Sequence, residues 1–95
     1  MEFEWDPGKA AANAKKHGVA FAEACTVFDD PFELTIPDPE HSAGEFRFVS
    51  IGSSVAGRLL IVSYTERGDR IRLINARIAS AAERKQYESS ESQDG

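Results

Sequence analysis

The stretch from Arg58 to Ala76, RLLIVSYTERGDRIRLINA, decides the fold. Its first part, up to Thr65, is the most apolar segment of the chain and predicts a central β-strand. The glycine-containing sequence Glu66-Arg67-Gly68-Asp69 predicts a hairpin turn. The last part alternates charged and aliphatic residues, so Arg70 and Arg72 are expected on one side of a second strand. This hairpin predicts a sheet on which the other elements pack.

Three more strands are predicted outside the hairpin. They are a short one near the N-terminus and two before the hairpin, over residues 3–5, 32–36 and 45–51. The expected fold class is α+β, with a short N-terminal strand, two helices, an antiparallel four-stranded sheet and a C-terminal helix. The helices are expected to gather on one face of the sheet.

Three helices are predicted from capping signals and apolar periodicity. The first runs from the Asp6-Pro7 cap to His17, and Gly18 ends it. The second spans about 20–28, with a buried stripe made of Phe21, Ala24, Cys25 and Phe28. The third begins at the capping box 80–83 and is expected to end at about residue 87 or 88.

Length and composition limit the class of protein. The 95 residues allow one domain, predicted over 1–88, and the polar residues 89–95 are predicted to be a disordered tail. The single cysteine excludes an internal disulfide. The longest aliphatic run, Leu59 to Val62, is far too short for a membrane helix, and the acidic N-terminus lacks a signal region. We therefore expect a cytoplasmic protein without a membrane partner.

The net charge of −5 argues against a nucleic-acid binder, but the charge is unevenly distributed. Residues 1–57 hold four basic and ten acidic side chains, whereas residues 58–87 hold seven basic and three acidic ones. The last eight residues add three acids and no base. This gradient indicates a basic surface between acidic flanks, although arginines on solvated faces are a common alternative.

No P-loop, GxGxxG, CxxC or HExxH motif is present, so no metal or cofactor is expected. Asp38, Glu40 and His41 lie in one loop and could hold a metal, but a solvated proline-rich turn is the better interpretation. Cys25 is interpreted as a small core residue rather than a nucleophile.

The first helix gathers polar side chains within about one quadrant, while Ala10, Ala11 and Ala14 are expected on its packing side. The polar set is Asp6, Lys9, Asn13, Lys16 and His17. Two cations, an amide and an imidazole suit a surface that faces phosphate. A solvated face, and for His17 a helix-boundary role, are the alternatives.

An acid, a phenol and several guanidiniums are predicted to converge near one edge of the sheet. They are Glu83, Tyr87, Arg67, Arg70, Arg72, Arg77 and Arg84. RNA cleavage without a metal requires a deprotonated 2′-hydroxyl, a protonated 5′-oxygen and a stabilised phosphorane charge. Arginine suits the last task, and a glutamate or histidine can move protons. Glu83 also has a structural alternative, as the acid of the capping box.

Long stretches of the chain resemble the BrnT family of type II toxin–antitoxin toxins. The matching runs are Trp5-Asp6-x-x-Lys9-x-x-x-Asn13-x-x-Lys16-His17-Gly18-Val19-x-Phe21-x-Glu23-Ala24, Phe28-Asp29-Asp30-Pro31, Thr65-x-Arg67-x-x-x-Ile71-Arg72-Leu73-Ile74-Asn75-Ala76-Arg77 and Glu83-Arg84-x-x-Tyr87. The similarity covers nearly all of residues 3–87. Asn75 departs from the pattern, where serine is expected.

The resemblance implies a RelE-like α+β fold and a ribonuclease that blocks translation. It also implies a BrnA-type antitoxin that binds DNA through a ribbon-helix-helix region, so operator DNA is contacted only indirectly. The family's basic positions that match are Lys16, His17, Arg47, Arg67, Arg72 and Arg77.

These observations together predict a metal-independent endoribonuclease toxin. The expected catalytic residues are Arg72, Arg77, His17 and Glu83, and the expected RNA-binding residues are Lys16, Arg47, Arg67, Arg70 and Tyr87. The alternative is a non-enzymatic binding module that acts as co-repressor with a DNA-binding partner.

Overall fold

The computed structural model describes residues 1–41 and 44–94, without the side chains of residues 41 and 91–94. Its centre is one five-stranded sheet of order β1-β5-β4-β3-β2. The strands are β1 Glu2–Glu4, β2 Leu34–Pro37, β3 Arg47–Ser53, β4 Leu59–Arg67 and β5 Arg70–Ile78. The four later strands form the expected antiparallel meander. The α+β class is confirmed.

The strand β1 corrects the predicted strand count from four to five in the sheet. It pairs with β5 in parallel, so that Phe3 lies beside Ile71. The hydrophobic Phe3 then points to the main core on the same side as Ile71. A three-residue strand carries too little pattern to reveal a partner almost seventy residues away, so the sequence left its pairing open.

The hairpin between β4 and β5 is tighter than predicted. Arg67 pairs directly with Arg70, which leaves only Gly68 and Asp69 in the turn. Gly68 has φ of 63°, a left-handed conformation that glycine adopts without steric cost. The strands β4 and β5 therefore extend up to this two-residue turn, which fixes their pairing register.

The first helix, α1, spans Pro7–His17 and matches its predicted bounds. The Asp6 carboxylate accepts a hydrogen bond from the Lys9 backbone N–H at 2.9 Å, and Gly18 ends the helix with φ of 68°. The second helix is only partly as predicted. It is α-helical over Phe21–Ala24 (α2) and then tightens into a 3₁₀ segment, Cys25–Asp29. The Thr26 hydroxyl donates to the Glu23 carbonyl at 2.7 Å, a bond that competes with regular helix geometry.

The main core lies between the sheet and the helices α1 and α2. Alternate residues of β4 and β5 point into it, where they meet aliphatic and aromatic side chains from residues 19–28. Its buried members are Val19, Phe21, Ala24, Val27, Leu60, Val62, Tyr64, Ile71, Leu73 and Ala76. The predicted buried stripe of the second helix is confirmed in part: Phe21 and Ala24 are buried, whereas Cys25 and Phe28 are half-buried and pack against this cluster.

The C-terminal helix, α3, spans Ala81–Asp94 and packs on the opposite face of the sheet. Its Tyr87 joins Ile51, Leu59 and Ile61 in a second, smaller core. The prediction that all helices gather on one face is therefore wrong. Alternate residues of a strand point to opposite faces, and on the face away from the main core Ile51, Leu59 and Ile61 form an apolar patch that α3 covers.

The helix α3 also extends past its predicted end at residue 87 or 88. The backbone stays helical to Asp94, where a disordered tail was expected from Ser89. The physical reason lies in the sequence, since neither glycine nor proline interrupts residues 81–94. No helix within the described residues is both long enough and apolar enough to cross a membrane.

Candidate nucleic-acid interface

Five arginines lie on the sheet face that carries α3, and we call this surface the arginine face. Its members are Arg47, Arg67, Arg70, Arg72 and Arg77. The pairing register places Arg47, Thr65 and Arg72 in one row across β3, β4 and β5. Arg67 lies directly opposite Arg70. The smaller core covers the far end of this face. Arg77 lies beside that core, opposite Ile61, and the other four arginines lie on the remainder of the face.

A β-bulge in β5 decides that Arg77 belongs to this face. Arg72 and Arg77 are five residues apart, and strict alternation would point them to opposite sides of the sheet. The register shifts between Ser63 and Tyr64, which pair with Asn75 and Leu73, so Ile74 is the extra residue. A bulge of this kind re-aims the side chains that follow it. The two arginines that sequence analysis singled out thus share one face.

Four of these arginines form ion pairs with carboxylates of the same chain. Arg67 binds Glu45 at 2.9 Å, Arg70 binds Glu2 at 3.2 Å, and Arg72 binds Glu4 at 2.8 Å. The fourth pair joins Arg77 to Glu83. Each acid offsets the repulsion between arginines on neighbouring strands, which is unfavourable for like charges that face each other. The hydrogen bond from Arg67 also lowers the pKa of Glu45.

The pair between Arg77 and Glu83 is bidentate. Two terminal nitrogens of the guanidinium donate to the two carboxylate oxygens at 2.8 and 2.7 Å. Glu83 also closes the predicted capping box, because its carboxylate accepts from the Ser80 N–H at 2.8 Å. Hydrogen bonding to Arg77 outweighs the effect of burial and lowers the pKa of Glu83 to about 2. Glu83 is therefore ionised at neutral pH and anchors the arginine.

Tyr87 does not belong to an accessible surface, which is at odds with its predicted contact with RNA. Its side chain is 9% exposed and packs in the smaller core. Its hydroxyl donates to the Asp30 carboxylate at 2.6 Å. The physical reason is that α3 buries its apolar side against β3 and β4, and Tyr87 is the large apolar residue on that side.

Asn13 fastens α1 to the open edge of β5. The strand β1 covers β5 only as far as Arg72, which leaves the backbone of Ala76 without a neighbouring strand on the side away from β4. The Asn13 amide donates to the Ala76 carbonyl at 2.8 Å and to the Val19 carbonyl at 2.9 Å, while its oxygen accepts from the Ala76 N–H at 3.0 Å. The carboxamide thus makes the hydrogen bonds that another strand would make.

This anchoring corrects the predicted orientation of α1. Asn13 is buried, whereas Ala11 and Ala14, which were expected on the packing side, are exposed. Ala10 does pack against the main core. Alanine offers little apolar area, so three buried hydrogen bonds decide the orientation of this helix more strongly than its alanines do.

A cavity of about 170 Å³ lies between α1 and the same edge of β5, and we call it the edge cavity. It is lined by Lys9, Ala12, Asn13, Lys16, His17, Ile74 and Asn75. Lys16 and His17, predicted from sequence, are therefore together here and not on the arginine face. Asn75 connects the two surfaces, because it lines the cavity and lies in β5 between Arg72 and Arg77.

The other chemical groups have structural surroundings. Cys25 packs against the main core, and burial raises the pKa of its thiol to about 11. Within residues 1–41 and 44–94, no cluster of three or more histidine, cysteine, aspartate or glutamate side chains suits a metal ion. The proposed loop ligand His41 has a side chain outside the described residues.

The acidic partners of the arginine face were not predicted from the sequence. Glu2 and Glu4 alternate with the same two-residue spacing as Arg70 and Arg72, so a parallel pairing of the two strands brings opposite charges together. The charge pattern becomes a usable signal only once the position of β1 is known, and only the folded chain supplies that position.

A family model identifies the family of this chain, and a solved structure shares its fold. The family described as the ribonuclease toxin, BrnT, of type II toxin–antitoxin systems matches residues 5–83. The crystal structure of the Brucella abortus ribonuclease toxin BrnT is similar to this chain with a TM-score of 0.67. The two sequences are 24% identical, and the match covers 84% of this chain and 97% of that one. No match is found among curated proteins. Since the family match spans most of its length, the chain belongs to the BrnT family of ribonuclease toxins of type II toxin–antitoxin systems.

Proposed function

We propose that this chain is a metal-independent endoribonuclease that cleaves RNA where the arginine face meets the edge cavity, and so inhibits translation. The observation that carries the proposal is the position of Asn75. It lies on β5 between Arg72 and Arg77 and lines the same cavity as His17. Phosphate-binding guanidiniums and an imidazole therefore border one short stretch of strand.

The chemistry assigned to these groups is transesterification of an RNA linkage. The 2′-hydroxyl loses its proton and attacks the adjacent phosphorus, and the 5′-oxygen leaves with a proton. The products are a 2′,3′-cyclic phosphate and a 5′-hydroxyl. Arg72 and Arg77 bind the phosphate oxygens and stabilise the charge that develops on them. His17 moves the protons, because an imidazole nitrogen can accept a proton or donate one.

The contacts of Glu83 support a positioning role in this scheme. Its carboxylate holds both terminal nitrogens of Arg77, and a pKa of about 2 leaves it ionised and weakly basic at neutral pH. A group in that state cannot donate a proton to the leaving oxygen. Among the two proton carriers predicted from sequence, His17 is the stronger candidate.

RNA must compete with the carboxylates already bound to the arginine face. Glu4 occupies Arg72, and Glu2 and Glu45 occupy Arg70 and Arg67. The pairs of Arg67 and Arg70 are exposed, and exposed pairs contribute only about 0–1 kcal/mol each. The pair between Arg72 and Glu4 is half-buried, so RNA must displace a better-ordered carboxylate there. A phosphate carries the same charge pattern as a carboxylate and can replace it in the guanidinium fork.

We further propose a BrnA-type antitoxin as the partner that neutralises the toxin. Membership of a type II toxin–antitoxin family supports a protein antitoxin. In this proposal operator DNA is contacted only through that antitoxin. The RelE-like relationship of the fold stays a prediction.

The test is cleavage of a defined single-stranded RNA by the purified chain in the presence of EDTA. Arg77→Ala and His17→Ala are each expected to reduce the rate at least about 100-fold, the usual range for loss of one catalytic group. Lys85→Ala on α3 is the control and is expected to retain full activity. A deoxyribose at the cleaved position must abolish cleavage, because the nucleophile is then absent.

Two outcomes contradict the proposal. Cleavage that stops with EDTA and returns with a divalent metal would refute the metal-independent chemistry. Intact RNA together with a tight complex between this chain and its antitoxin would favour the alternative, a binding module that acts as co-repressor.

A further inference from the structure

We infer that the edge cavity is a binding site for backbone phosphate, where Lys9 and Lys16 hold the RNA strand beside the linkage that is cleaved. This inference rests on the proposed function and adds a subsite to it. Lys9 was predicted from sequence only as part of a polar helix face that suits phosphate, and Asn75 was not among the predicted site residues.

The lysines that border the edge cavity differ from the arginines of the arginine face in whether their charge is paired. On the arginine face, Arg67, Arg70 and Arg72 each form an ion pair with a carboxylate of the same chain. In the part of the chain that the structure describes, Lys9 and Lys16 make no ion pair, and both are exposed. An incoming phosphate therefore meets available positive charge at the cavity first.

The positions of Lys9 and Lys16 along α1 also suit an RNA strand. Lys9 and Lys16 are seven residues apart, so they lie on one side of the helix about 10 Å from each other. Asn13 stands between them on the same side and binds β5. The two ammonium groups therefore border the groove between helix and strand at separate points, which suits an extended chain of phosphates.

The size and the lining of the edge cavity suit a single phosphate group. Its volume of about 170 Å³ is smaller than the ~300–1,000 Å³ typical of sites for whole small-molecule ligands. A single phosphate fits this size better than a nucleobase with its sugar. The Asn13 amide already makes its hydrogen bonds to backbone groups, so it lines the cavity without binding the phosphate. The Asn75 amide has no hydrogen-bond partner among the described residues and is available to the phosphate oxygens.

The experiment measures binding of a fluorescein-labelled DNA oligonucleotide that has the sequence of the RNA substrate and cannot be cleaved. Affinity is followed by fluorescence anisotropy between 50 and 300 mM NaCl for Lys9→Gln, Lys16→Gln and the double variant. Lys15→Gln is the matched control, because it removes the same charge from the same helix but Lys15 does not line the cavity. All three lysines are exposed, so each variant is expected to fold.

Each cavity variant is expected to bind about fivefold more weakly at 0.1 M salt and to reduce the salt slope by about 0.7, the value for one phosphate contact on a single strand. Lys15→Gln is expected to leave the slope unchanged. Inorganic phosphate is expected to compete with the oligonucleotide on the wild type and not on the double variant, at matched ionic strength.

Equal losses in Lys15→Gln and Lys16→Gln would overturn the inference, since they would indicate diffuse attraction to the helix. Unchanged slopes in the cavity variants, or equal competition by phosphate on the double variant, would also overturn it. The assay does not depend on cleavage. A chain that cleaves RNA but shows no slope change refutes the subsite alone, and one that shows the slope change without cleavage refutes only the nuclease activity.

Discussion

Replacing Asn13 with alanine is expected to destabilise this protein more than any other single change to a polar side chain of α1. The substitution removes three hydrogen bonds to backbone groups, two of them on Ala76, which is fully buried. A net contribution of about 1 kcal/mol per bond gives a loss of about 3 kcal/mol, and unsatisfied buried groups add to it. A domain of this length has a total free energy of unfolding of only about 5–14 kcal/mol.

Urea unfolding followed by fluorescence is a direct assay, because Trp5 is the single tryptophan and its ring lies 5.9 Å from that of Phe21 in the main core. With a slope of about 1.5 kcal/mol per molar urea, the midpoint of Asn13→Ala is expected to fall by about 2 M. Thermal unfolding is expected about 12–24 °C lower.

Asn75→Ala is the matched control, since it removes the same group from a half-buried position without a described hydrogen bond. It is expected to change the free energy of unfolding by less than about 0.5 kcal/mol. If the two variants unfold at the same urea concentration, the anchoring role of Asn13 is refuted. Asn13→Asp provides a second check, because it loses the two donated bonds and buries a charge, and it is expected to be at least as unstable as the alanine variant.

Three further predictions follow from contacts of α3 and the core. Glu83→Gln is expected to lower stability by about 1–2 kcal/mol near pH 7, a value discounted for the exposure of Arg77. Because folding lowers the pKa of Glu83 from 4.5 to about 2, this stabilisation is complete above about pH 4.5 and is lost as the pH falls towards 2, so the unfolding curves of variant and wild type must converge in acid. Tyr87→Phe removes the bond to Asp30 and is expected to cost about 1 kcal/mol without changing oligonucleotide affinity; weaker binding at unchanged melting temperature would contradict the buried role. The Cys25 thiol, with its pKa raised to about 11, is expected to react with a disulfide reagent at pH 8 about 100-fold more slowly than a free cysteine, and urea must abolish that difference.

The local elements were largely readable from the sequence because their signals are local. The bounds of α1 follow from the Asp6 cap and the Gly18 stop, and the capping box at Ser80 marks the start of α3. The glycine in the β4–β5 connection indicated the hairpin. The end of α3 was missed because a run of polar residues without glycine or proline is equally compatible with helix and coil.

The candidate site was only partly predictable, because its geometry depends on long-range pairing. Residue types pointed correctly to a basic segment, but alternation alone places Arg72 and Arg77 on opposite faces of a regular strand. The parallel pairing of β1 with β5, which brings Glu2 and Glu4 to the arginines, has no local signature. The burial of Tyr87 was not predicted for the same reason, since it depends on which face of the sheet α3 covers.

The sequence by itself determined the α+β class, the order of the elements and the basic character of residues 58–87, because capping, periodicity and charge are properties of neighbouring residues. The tertiary structure decided which of those charges act together. A one-residue bulge at Ile74 turns Arg77 onto the arginine face, and the Asn13 amide sets α1 against β5 so that Lys16 and His17 meet Asn75 at the cavity. The first effect comes from the pairing of β5 with β4, and the second from hydrogen bonds between the Asn13 side chain and the distant backbone of Ala76. Such contacts fix the position of a side chain more closely than its identity does.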